Sequence, residues 1–183
     1  MEDFALALLR VTVGLLFVGH GMQKLFGWLG GDGLQATGEN FAKMRLRDPQ
    51  AAALGVSIYE LAGGAFLAVG LVTPIACAFI LGVMLGAIVF VHWPKVWAQQ
   101  GGFEYPLVNM AIVSMFGLMG PGAWSLDEAF GTADVLANPW TYLVCAVVVA
   151  ISVTSLAMLR EPSHARWQRP ADDRGGRLAS HGR

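Results

Sequence analysis

Five apolar stretches limit what this chain can become: Phe4–Phe26, Ala51–Val72, Ile75–Trp93, Tyr105–Met119 and Trp140–Leu159. A bilayer core about 30 Å thick takes roughly 20 apolar helical residues to cross, and four of the five runs reach or approach that length; the fourth is short. Composition agrees: 55% of the 183 residues are hydrophobic and 14% are charged, whereas a soluble domain carries about a quarter charged residues. The expected fold is all-α. It is a transmembrane helical bundle with a four-helix core over residues 1–137, a fifth, C-terminal transmembrane helix over 138–160, and a disordered basic tail over 161–183.

The first run differs from a secretory signal, because Glu2 and Asp3 stand where a signal has positive charge and no small-residue cleavage site follows. It reads as a true span. Cys77 and Cys145 are isolated inside spans, form no CxxC pair, and read as small packing residues. With five crossings, every Lys and Arg except Arg10 falls on or near the side holding the first loop, the Pro94–Glu104 segment and the tail. The positive-inside rule then makes that side cytoplasmic, in a cell (inner) membrane, with the N-terminus outside and the C-terminus in the cytoplasm.

Within the first loop, "LQATGENFAKMRLRDP" sets Leu34, Phe41 and Met44 against Lys43, Arg45 and Arg47, the pattern of a short amphipathic helix at the membrane surface. The five Arg of the tail, with Arg160 just before it, favour anionic lipid headgroups. Trp93 and Trp97 read as interfacial anchors. Gly63–Gly64 and the Gly82/Gly86 pair read as places where helix backbones approach closely.

Against this apolar background the polar residues stand out. His20 and Lys24 are four apart and stack on one helical face, with Gln23 beside them. At 1.5 Å per residue His20 lies about 9 Å, and Glu60 about 15 Å, from the cytoplasmic end of their spans. Glu60, in "SIYELAGG", is a carboxylate near mid-bilayer. It costs a few kcal/mol unless protonated, paired or facing a polar cavity. Depth makes His20 and Arg10 its natural partners, and a purely structural interhelical pairing is the competing reading. His92 closes the third span and Glu104 opens the fourth at the cytoplasmic level, where Glu104 is as well placed to cap a helix as to do chemistry. Lys24 at a span's end can simply snorkel. His20 can carry a proton, donate a hydrogen bond to a ligand carbonyl, or ligate a metal or haem; without HxxEH or ExxH spacing, hydrogen bonding is favoured and no metal site is expected.

Taken in order, "GLLFVGHGMQKLFG", "YELAGGAFLAVGL", "VFVHWPKVW", "GGFEYPL" and "GPGAWSLDEA" resemble the DoxX family of small bacterial and archaeal membrane proteins, over about Leu6 to Phe130. The resemblance implies a four-helix transmembrane bundle in which His20, Gly21, Lys24, Glu60 and Glu104 occupy the family's motif positions. It also implies a link to thiosulfate:quinone oxidoreductase subunits and to membrane oxidoreductase complexes handling thiol and oxidative stress. The apolar span at Pro139–Leu159 and the basic tail depart from the family pattern.

Two functions from different classes follow. The first is a quinone-linked accessory subunit of a membrane redox system, in which Glu60 and His20 do the chemistry while Gln23, Lys24, His92 and Glu104 complete the quinone site and its proton route. The chain has no CxxCH, paired-cysteine or dinucleotide motif, so it holds no intrinsic cofactor, and electrons must come from other membrane or soluble redox subunits. On this reading it belongs to an oxidoreductase complex without being catalytic alone, and it is free to oligomerise. The second is a non-enzymatic scaffold or small-solute permeation subunit. Nucleic-acid binding is disfavoured by a net charge of −1 and the topological placement of the basic residues.

Overall fold

The computed structural model describes residues 1–136 and 139–158, apart from the side chains of residues 135, 136 and 156. The regular structure of those residues is all helical: α1 (Glu2–Phe26), α2 (Gly33–Lys43), α3 (Pro49–Val69), α4 (Thr73–Ala87), α5 (Glu104–Met119), α6 (Leu126–Ala129), α7 (Ala133–Leu136) and α8 (Pro139–Met158). A π-helical turn at Ile88–His92 extends α4. The expected basic tail over 161–183 lies outside the described residues.

Local chemistry explains the boundaries. Glu2 and Asp3 sit in the first turn of α1, where acidic side chains complement the helix dipole, and Gly27 ends the helix in the left-handed region. Asp48 caps α3 by accepting from the Ala51 amide at 3.0 Å, with Pro49 opening the helix. That start is two residues earlier than the apolar run suggests, because cap and proline, not hydrophobicity, set it. The expected amphipathic helix is α2, which ends at Lys43 because Arg45 takes a positive φ. It does not only lie on a surface: it packs against α1 and α3 and buries Thr37 and Gly38.

Helices α1, α3 and α4 with its π-turn are long and apolar enough to cross a membrane. Helix α5 and the Pro139–Ser155 part of α8 are shorter apolar helices. Packing runs α1 to α3 to α4 to α5, and α8 lies across α4 and α5. Between these helices Phe17, Leu67, Ile80, Val113, Phe116 and Tyr142 form a continuous buried core. The fifth apolar run therefore joins the same bundle, and Tyr142 of α8 shares a hydrogen bond with Ser114 of α5 at 2.7 Å.

The closest backbone approach is between α1 and α3. A Cβ added at Gly14 would lie 2.6 Å from both the Ala68 amide nitrogen and the Gly64 carbonyl oxygen. Backbone atoms cannot rotate aside as a side chain can, so Gly14→Leu must push the helices apart. We expect it to destabilise the fold by more than the roughly 1–3 kcal/mol of ordinary overpacking. Gly55→Ala, with nothing within 4 Å of its added Cβ, should be neutral or slightly stabilising. Thermal melts in detergent followed by circular dichroism compare the two.

Candidate functional site

At the end of the bundle where α1 closes, α3 supplies Glu60, which is 2% exposed. Its Oε1 accepts a hydrogen bond from the Lys24 ammonium, and the two form an ion pair in which the Lys24 side chain is 31% exposed. The partner is thus neither His20 nor Arg10, the expected ones. Close contact of α1 with α3 turns the Lys24 face of α1 directly onto Glu60, so Lys24 does not merely snorkel. Glu60 Oε2 is buried and has no hydrogen-bond partner.

The turn around Lys24 is built from three helices. Thr37 of α2 is buried, donates to Gly33 O at 2.8 Å and lies 3.5 Å from Lys24 O, which holds α2 over the end of α1. Ser57, one turn before Glu60, is also buried and satisfies itself on Ala53 O at 2.7 Å. It leaves no donor for Oε2.

His20 is exposed. Its Nδ1 lies 3.3 Å from Gln23 Oε1, and its ring meets Phe17 edge-on with centroids 6.5 Å apart. Gln23 in turn donates from Nε2 to Leu29 O at 3.1 Å and so ties the α1–α2 connection back to α1. His92 bonds Gly101 O through Nδ1 at 2.8 Å. Glu104 begins α5, and its backbone amide donates to Val96 O at 2.9 Å. The geometry joins Lys24 to Glu60 and Gln23 to His20, while His92 and Glu104 engage the connection between α4 and α5. Among the described residues no three His, Cys, Asp or Glu side chains gather as a metal site would require.

A second polar centre closes the opposite end of the bundle. Arg10, 2% exposed, donates from its two terminal nitrogens to Pro121 O and Trp124 O. Asp127, fully buried, accepts from the Val72 amide at 2.8 Å, the Thr73 amide at 3.0 Å and the Thr73 hydroxyl at 2.9 Å. It therefore caps α4, whose own N-cap residue, Val72, offers no side-chain acceptor. Between them Gly70 takes φ 66°, and a Cβ there would meet Ser125 Cβ at 2.5 Å and Arg10 Cζ at 2.8 Å. Sequence reasoning offered Arg10 by depth as a partner for Glu60 and assigned Asp127 no role. One signal was available: Ser125 and Glu128 have capping-box spacing, and the Ser125 hydroxyl does accept from the Glu128 amide at 3.2 Å.

Compared with known proteins, residues 5–93 match the family model DoxX. The matched segment contains His20, Gln23, Lys24, Glu60 and His92 and ends before Glu104. No curated protein matches the chain, and no solved structure matches it.

Proposed function

With residues 5–93 of this chain belonging to the DoxX family, we propose that it is a membrane subunit which binds a quinone-type carrier beside the Lys24–Glu60 pair and exchanges electrons through a partner redox subunit. One observation carries this reading: a carboxylate 2% exposed, inside an apolar helix, with one oxygen paired to an ammonium and the other unpaired. A group placed so is costly in a membrane and marks a functional position. Interconversion of a quinone and its hydroquinone moves two electrons, which pass to or from the partner subunit, and two protons. Glu60 and His20 handle the protons, Lys24 holds the carboxylate in place, and His92 and Glu104 lie on the route to water. The basic-loop pattern supports an orientation with that end in the cytoplasm and the N-terminus outside, in a cell membrane.

The test is mass spectrometry of lipids and quinones that co-purify in mild detergent. Wild type should retain quinone, and Glu60→Gln, which keeps shape but loses charge, should lose most of it while remaining folded. Equal retention would remove Glu60 from the site.

The scaffold reading keeps one specific support, since Lys24–Glu60 also fastens α1 to α3. On that account Glu60→Gln would weaken assembly and change no ligand content.

A further inference from the structure

Gln23 decides which nitrogen of His20 is protonated. A backbone carbonyl can only accept, so Leu29 O requires the amide Nε2 of Gln23 on its side, at 3.1 Å. That leaves Gln23 Oε1 facing His20 Nδ1 at 3.3 Å. Two acceptors would repel, so Nδ1 carries the proton, and in the neutral ring Nε2 is left with a lone pair. No described residue bonds Nε2, and the His20 side chain is exposed. Beside Lys24, one turn along α1 from His20, the Oε2 of Glu60 on α3 is a second acceptor without a partner, on a side chain 2% exposed. Lys24 uses one of its three N–H donors on Glu60 and is 31% exposed, so it keeps donors for an incoming oxygen.

We infer that this site takes the reduced, hydroxyl-bearing form of its carrier, with the ligand O–H donating to His20 Nε2 and its oxygen accepting from Lys24. The inference deepens the quinone reading and rests on it. It also reverses the expectation that His20 donates to a carbonyl: a carbonyl oxygen at Nε2 would face a lone pair. Gln23 becomes a positioning residue, acting through His20 without touching the ligand, and its bond to Leu29 O is part of how it acts.

The experiment has two readouts on the full chain in lipid nanodiscs. The first is the 15N spectrum of histidine-labelled protein, assigned by the signals missing in His20→Gln. Nδ1 should be protonated and Nε2 bare, and a ring protonated at Nε2 alone would overturn the inference. The second is binding under anaerobic, reducing conditions of a short-chain benzohydroquinone and its dimethyl ether, and, without reductant, of the benzoquinone. The hydroquinone should bind about tenfold tighter than either, which corresponds to about 1.4 kcal/mol. Gln23→Leu should abolish that preference. Gln23→Glu loses the bond to Leu29 O yet still accepts from Nδ1, so it should keep the preference and separates tautomer control from a loosened loop. A preference retained in Gln23→Leu, or quinone binding tighter than hydroquinone, would overturn the inference while leaving a quinone site standing. Failure of all three compounds to bind would remove the site itself.

Discussion

Lys24→Met should destabilise the fold by about 3–5 kcal/mol, and Glu60→Gln by only about 1 kcal/mol, although both cut the same ion pair. The asymmetry comes from what each substitution leaves behind. Without Lys24, the Glu60 carboxylate stays 3% exposed with both oxygens unpaired, and protonating it to relieve the charge costs free energy as well. Without the carboxylate, Lys24 is already 31% exposed and can extend its stem toward the headgroups. The double variant Lys24→Met with Glu60→Gln should therefore be more stable than Lys24→Met alone, a coupling that denaturant titration in mixed micelles measures. Single and double variants of equal stability would mean that the pair holds nothing together.

Asp127→Ala should be the most damaging single change in the connection after α5. It strands the Val72 and Thr73 amides and the Thr73 hydroxyl, all paired to that carboxylate, and removes the acceptor that Thr132 Oγ1 meets at 3.2 Å. At about 1–3 kcal/mol for each buried group left unsatisfied, the total exceeds 4 kcal/mol, a size reserved for a few mechanisms. Asp134→Ala, at an exposed position of α7, should stay within about 0.5 kcal/mol. Melting temperatures of the two variants in detergent provide the comparison. Arg10→Lys should also be damaging, because an ammonium cannot reproduce the guanidinium fork that reaches both Pro121 O and Trp124 O.

The difference between these two centres shows what the chain's sequence reveals unaided. Helical spacing alone stacks His20 on Lys24, and hydropathy alone places Glu60 deep, so the members of the first centre were legible. Their pairing was not. Which face of α3 meets α1 depends on how closely Gly14 and Gly64 let the backbones approach, a property of two surfaces and not of one period. The second centre was less visible still, since Asp127 caps a helix that begins 54 residues earlier in the chain. A capping pattern is local, and this cap is not. The short α5 was legible as a weak apolar run. The docking of α8 was not, because its outward residues, such as Val144 and Val148, are as apolar as its buried Val153.

The most direct test of Glu60 as a ligand site is infrared difference spectroscopy on protein in nanodiscs before and after the short-chain benzohydroquinone is added. Adding it should shift a carboxylate stretching band, and the band should be absent in Glu60→Gln. A hydroquinone that binds wild type and leaves every carboxylate band unmoved would contradict the account and make the Lys24–Glu60 pair a fastening between α1 and α3.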